Sequence, residues 1–140
     1  MFELHSQLAQ DCIEIGDLAL SKVLLLNDSQ FPWVILVPRK DGIEEVFSLN
    51  REDQNTLQQE SSAVAAIMSE QFNADKMNIA ALGNMVPQLH IHHIARFKTD
   101  VAWPKPVWGV VPATAYEQST LDQRLQLLRQ QLAPLGLVCC

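Results

Sequence analysis

The sequence predicts an α+β fold, an antiparallel β-sheet with a long helix and a C-terminal helix packed on it. Three observations carry that expectation. Residues 19–28 and 32–39 are two runs rich in Val, Ile and Leu, separated by the turn-like Asn27-Asp28-Ser29-Gln30. A long stretch after Asn50 repeats its apolar residues at helical spacing. Two more strand-like runs, residues 77–82 and 88–96, follow that stretch with only a short connection, which favours antiparallel pairing.

Leu4 and Leu8 lie one helical step apart, so a short opening helix is expected over residues 2–11. Gly16 interrupts the apolar trend before the first strand of the hairpin. Pro32 and Pro38 bracket the second strand, where a missing N–H is tolerated. Asn50 followed by Asp53 has the form of a helix cap with an acidic first turn. Leu57, Val64, Ile67, Met68 and Phe72 then mark one face of the long helix, and Asn73 closes it. Gly83-Asn84 reads as a turn or bulge between the last two strands. Trp103-Pro104, Pro106 and Trp108-Gly109 keep the next segment out of a helix. Thr114 and Glu117 form a capping-box pattern before a final helix. Its apolar stripe is Leu121, Leu125, Leu128 and Leu132, and Pro134 and Gly136 stop it.

A chain of 140 residues suffices for one domain with its own core, and no linker divides it. Residues 1–110 are expected to form the main domain and 111–140 a helical extension packed on it. The formal net charge of −6 opposes a broad grip on a nucleic-acid polymer or an anionic membrane, since both need clustered Lys and Arg. No apolar run is long enough to span a bilayer, and the N-terminus is acidic and polar where a signal peptide would be basic and then apolar. Three cysteines, Cys12 and the terminal Cys139-Cys140, make a poor disulfide framework; the expectation is one buried thiol, an exposed tail and a reducing cytoplasm.

Three of the four histidines fall in Gln88-Leu89-His90-Ile91-His92-His93-Ile94. Strand alternation sends Gln88, His90 and His92 to one face and Leu89, Ile91 and His93 to the other. Successive members of a row have Cα atoms about 7 Å apart. Two imidazoles and an amide in a row offer a nucleophile or base, a hydrogen-bond donor and a neutral orienting group. Histidine suits such work because its ordinary pKa, about 6.5, lies near neutrality. On the residues alone, His90 and His92 fit a solvated strand face equally well, and His93 fits a core position. A zinc site needs three or four protein ligands, and His5, Cys12 and the acidic residues stand in no spacing relation to the pair, so no metal is expected.

Residues 83–96, Gly-Asn-Met-Val-Pro-Gln-Leu-His-Ile-His-His-Ile-Ala-Arg, resemble the signature strand of the histidine triad family. That signature alternates three histidines with apolar residues, often ends in an arginine, and carries a Gln or Asn after a Gly four residues before the first triad position. Asn27-Asp28 and Pro32-Trp33-Val34-Ile35-Leu36-Val37-Pro38 resemble the family's nucleoside-binding strands. The similarity spans residues 10–109 and is closest to bacterial members grouped with diadenosine tetraphosphate hydrolases. One departure stands out: the first triad position is Gln88, which keeps hydrogen-bonding capacity but cannot change charge near neutral pH.

The resemblance implies a histidine-triad fold and a homodimer with no required cofactor. It implies an enzyme that hydrolyses or transfers at the α-phosphate of a dinucleoside polyphosphate or related nucleotide conjugate. His90 would be the nucleophile and form a nucleotidyl-histidine, its other ring nitrogen donating to a backbone carbonyl. His92 would donate to a non-bridging phosphate oxygen, and Gln88 and Asn84 would hold the bridging oxygen and leaving phosphate. Asn27 and Asp28 would bind ribose hydroxyls, although turn chemistry alone accounts for both. Ile13, Leu26 and Ile35 are candidate walls for the base. Arg96 and Lys105 are candidate phosphate contacts, and Trp103 and Trp108 would close the site or lie across a dimer seam; surface and packing roles account for these four equally. The alternatives to an enzyme are a nucleotide-binding or sensing module with weak or no catalysis, and a zinc protein built on His90 and His92.

Overall fold

The structure is a computed structural model and describes residues 1–139. Helix α1 (Ser6–Asp11) leads into strands β1 (Cys12–Asp17), β2 (Ser21–Leu26) and β3 (Trp33–Pro38). Helix α2 (Arg51–Phe72) follows, then β4 (Lys76–Ala80), β5 (Ile91–Arg96) and helix α3 (Gln118–Leu132). The strands form one antiparallel sheet in the order β1-β2-β3-β5-β4. The predicted hairpin is β2–β3, and the expected class and arrangement of helices on the sheet are present.

Central position explains the composition of β3. All six of its residues are buried, because both faces of the strand are covered. Val34 and Leu36 join Val23 and Leu25 of β2 beneath Val64 and Met68 of α2 and Leu125, Leu128 and Leu132 of α3. Trp33, Ile35 and Val37 point the other way, into a second core with Leu24, Ile94, Leu8 of α1 and Ala102 and Val107 of the segment after β5. The two long helices, α2 and α3, thus cover the same side of the sheet. The opposite side is only thinly roofed, and the candidate site lies there.

Two expectations change. Strand β1 was not anticipated, because Gly16 breaks the run that contains Ile13 and Ile15. In the structure Gly16 is part of the strand, at a register shift against β2. A Cβ there would meet the Val138 carbonyl at 2.6 Å, since the C-terminal segment bridges to Asp17. The glycine admits a close backbone approach. The Thr114–Glu117 capping box also does not form: Glu117 is the N-cap residue of α3 without a side-chain hydrogen bond. Thr114 is drawn instead to the β2–β3 turn, its N–H given to Asp28 Oδ1 and its carbonyl accepting from Ser29 N. The cap of α2 is as expected, with Asn50 Oδ1 accepting from Asp53 N at 2.8 Å and Asn73 closing the helix at φ 51°. Of the cysteines, Cys12 is half-buried and Cys139 exposed, while Cys140 lies outside the described residues. Among the described residues no helix is long and apolar enough to cross a membrane.

Candidate active site

Strand β5 and the residues entering it position the imidazoles. His90 immediately precedes the strand and His92 is its second residue; both side chains are buried to 7% exposure, with ring centroids 5.0 Å apart. They border a cavity of about 410 Å³. Strand β3 supplies Trp33 and Ile35 to its floor, α1 supplies Leu8 and Asp11, the loop before β5 supplies Asn84 and Met85, and Trp108 closes one side. The walls are mainly apolar, and the ionisable groups lining the cavity are His90, His92 and Asp11.

Each imidazole has one nitrogen committed. His90 Nδ1 is 2.7 Å from the Gln88 carbonyl. A carbonyl only accepts, so Nδ1 carries the proton and the neutral ring keeps its lone pair on Nε2. His92 Nδ1 accepts from the indole N–H of Trp33 at 2.9 Å. Trp108 stands edge-on to both His92 and Trp33, with centroids at 5.1 and 5.7 Å. Burial, followed by the neighbouring His90 and His93, pushes the His92 pKa down to about 3. His93 faces the helices, fully buried, with Nε2 2.7 Å from Ser61 Oγ of α2.

The structure brings together only part of the predicted set. His90, His92, Asn84, Trp108, Leu26 and Ile35 line the cavity; Gln88, Asn27, Asp28, Arg96, Trp103, Lys105 and Ile13 do not. Gln88 was expected to hold a bridging oxygen. Its amide is instead engaged by the main chain of the N-terminal segment, Oε1 accepting from His5 N at 2.8 Å and Nε2 donating to Glu3 O at 2.9 Å. Arg96 shares the sheet face of His90 and His92, as alternation predicts, but is 1% exposed and forks onto both oxygens of Asp100 while donating to Asn78. Trp103 lies against that guanidinium, not against the cavity. Asp28 Oδ1 accepts from Gln30 N, Gln30 Nε2 and Thr114 N, and Asn27 Oδ1 accepts from Tyr116 N, so both residues tie the C-terminal segment to the β2–β3 turn.

Trp33, Leu8, Asp11, Leu82, Met85 and Val86 are site residues that sequence reasoning did not single out. Trp33 left a signal, since strand alternation puts it on the face of Ile35. Its pairing opposite Ile94 on β5 required the sheet order. Among the described residues no three His, Cys, Asp or Glu side chains converge as a metal ion would require.

Comparison with known proteins agrees with this architecture. The family model described as the HIT domain matches residues 7–99. A histidine triad protein of Bradyrhizobium japonicum superposes with a TM-score of 0.91 at 46% identity, covering 93% of this chain and 97% of its own. One from Sinorhizobium meliloti gives 0.91 at 42% identity, covering 94% and 98%. One from Marinobacter aquaeolei gives 0.88 at 49% identity, covering 99% of both chains. No match was found among curated proteins.

Proposed function

This chain belongs to the histidine triad (HIT) family, whose members generally act on nucleotides as hydrolases or transferases, and on that premise we propose that it breaks a bond at a nucleotide α-phosphorus through a nucleotidyl-histidine on His90. The substrate class is a dinucleoside polyphosphate or related nucleotide conjugate, as in the members grouped with diadenosine tetraphosphate hydrolases. The observation that carries the proposal is the commitment of His90 Nδ1 to the Gln88 carbonyl beside an apolar cavity. It leaves Nε2 as the lone-pair nitrogen of the pair's first ring, which is what an in-line nucleophile needs.

In this mechanism the apolar walls receive the nucleoside base and the phosphate lies against His90 and His92. Nε2 of His90 forms the N–P bond while the P–O bond to the leaving group breaks. The Nδ1–H of His90 stays on the carbonyl and spreads the charge the ring acquires. His92 offers its Nε2–H to a non-bridging oxygen, where negative charge grows. Asn84, exposed at the cavity rim, meets the leaving group. Water then attacks phosphorus and gives up a proton to solvent as the N–P bond breaks, which returns the electron pair to Nε2. The chain works as a cytoplasmic homodimer in this proposal, with no cofactor; the exposed Ile79 on edge strand β4 is apolar surface a second copy would cover.

Mass spectrometry after incubation with a panel of dinucleoside polyphosphates and nucleotide conjugates tests it. The parent should release mononucleotide and trap an adduct at His90, and His90→Ala should lose both, with turnover down by at least about 10³-fold. Parental turnover in that variant would exclude His90 as nucleophile. Tight nucleotide binding without adduct or release would identify a sensing module instead.

A further inference from the structure

We propose that Trp33 is a positioning residue whose indole N–H, given to Nδ1 of His92, holds that imidazole neutral with its proton on Nε2, so that the site offers its substrate a hydrogen bond but no transferable proton. The inference rests on the nucleotidyl-transfer reading for its kinetic consequence, though not for its structural half.

The chemistry of the two side chains leaves one arrangement. Indole N–H only donates, so at 2.9 Å the nitrogen opposite must present a lone pair. A neutral imidazole with its lone pair on Nδ1 carries its proton on Nε2. A charged imidazole would carry protons on both nitrogens, and two N–H groups would then face each other in a buried setting. Protonating His92 therefore costs the hydrogen bond and strands the indole N–H. Burial acts in the same direction, followed by His90 and His93, with the pKa at about 3. The groups around the ring supply little to oppose it. His90 lies 5.0 Å away on the same sheet face, Trp108 stands over it from the segment after β5, and His93 points to the other side. Asp11 of α1 is the one carboxylate lining the cavity, and it is exposed and accepts from Gln7 Nε2. Trp33 is itself fixed: it is 6% exposed, pairs opposite Ile94, and stands edge-on to Phe31 and Trp108.

A consequence follows for the leaving group. When His90 Nε2 bonds to phosphorus and the P–O bond breaks, the electron pair leaves with oxygen. The proton on His92 Nε2 stays there, hydrogen-bonded to phosphate. Gln88 has no proton to give and is held by residues 3 and 5. The leaving oxygen thus departs as an anion. Weakly basic leaving groups, such as phosphates, carboxylates and activated phenolates, are accepted, and simple alkoxides are rejected, since stabilising them requires proton donation in the transition state.

The experiment compares the parent, Trp33→Phe, and a protein carrying 3-benzothienylalanine at position 33, which replaces the indole N–H with sulfur at nearly constant shape. In ¹⁵N-histidine-labelled parent, NMR should show His92 as the Nε2–H tautomer and unprotonated down to pH 5. Both substitutions should mix its tautomers and raise its titration midpoint by about one pH unit or more. Kinetically, kcat should fall by about 10- to 100-fold with KM little changed. The parent's rate should depend steeply on leaving-group basicity across the pH range, read with a series of aryl and alkyl nucleotide esters, and in both substituted proteins that dependence should flatten at low pH, where His92 takes up a proton. If Phe disturbs folding, the benzothienyl protein decides. An Nδ1–H tautomer, a parental midpoint near 6.5, or a midpoint unmoved by the loss of the N–H would overturn the proposal. A protein with the stated tautomer that turns over none of the esters would refute the nucleotidyl-transfer reading and the leaving-group consequence, and leave the Trp33–His92 assignment standing.

Discussion

His93 is adjacent to His92 in the chain, and strand alternation gives it an unrelated task. It faces α2, fully buried against Ser61, where burial pushes its pKa down to about 4 against the pull of backbone hydrogen bonds. The folded ring therefore stays neutral over a range in which the unfolded ring, near 6.5, takes up a proton. Stability falls as the pH drops from 6.5 towards 4, by about 3 kcal/mol for such a shift, and is unaffected above 6.5. His93→Val should remove that slope, measured by urea unfolding at a series of pH values. It leaves Ser61 without its partner, which lowers stability at pH 7 by about 1–3 kcal/mol, and it should leave turnover nearly unchanged. A collapse of rate in a folded variant would put His93 in the site. At this scale the sequence was informative: periodicity separated His90 and His92 from His93. The fates of Gln88 and Arg96 were hidden, because their partners, residues 3 and 5 for one and Asp100 and Asn78 for the other, are set by chain reversals that no local pattern encodes.

The segment following β5 is an element without regular structure, and one ion pair organises it. The side chains of Asp100 and Arg96 are both buried, with carboxylate and guanidinium 2.8 Å apart. The same carboxylate accepts from the N–H groups of Phe97, Ala102 and Trp103. Burial works to raise the Asp100 pKa and is outweighed by the guanidinium and these N–H donors, which bring it down to about 2. The turn so formed sends Ala102 and Val107 into the core beneath the sheet and carries Trp108 to the wall of the cavity. Asp100→Ala leaves Arg96 buried without its counter-charge and takes the carboxylate acceptor from five donors, two on the guanidinium and the N–H groups of Phe97, Ala102 and Trp103. We expect a loss of about 3 kcal/mol or more in denaturant unfolding, with a red shift of tryptophan emission as Trp108 loosens. Unchanged stability would mean that the pair does not hold the segment. Arg96 was legible as a residue on the site's face, but its ion pair depends on a turn only four residues long that folds the chain back on the strand end.

At the scale of the molecule, the sheet divides two kinds of work. One side is a packed helix layer, where α3 buries Leu125, Leu128 and Leu132 against β1, β2 and α2, and Arg129 donates to the carbonyls of Glu14 and Ile15. The other side keeps the cavity. Leu128 is 1% exposed, so Leu128→Ala should cost about 2–5 kcal/mol and lower the melting temperature in calorimetry. Turnover below that temperature should persist, since the layer of the sheet lies between α3 and the imidazoles. Loss of turnover in a folded Leu128→Ala protein would show that α3 shapes the site through the sheet.

The sequence by itself determined the fold class, the long helix with its Asn50 cap, the β2–β3 hairpin, and the row that places His90 and His92 together, because each follows from a local period or a local cap. Only the tertiary structure decided what those imidazoles touch. Strand order sets β3 beside β5 and gives His92 to Trp33; the N-terminal segment claims Gln88; the C-terminal segment claims Asn27 and Asp28. A side chain's chemistry is local to its residue, whereas its hydrogen-bond partner is chosen by which distant backbone the fold brings within about 3 Å.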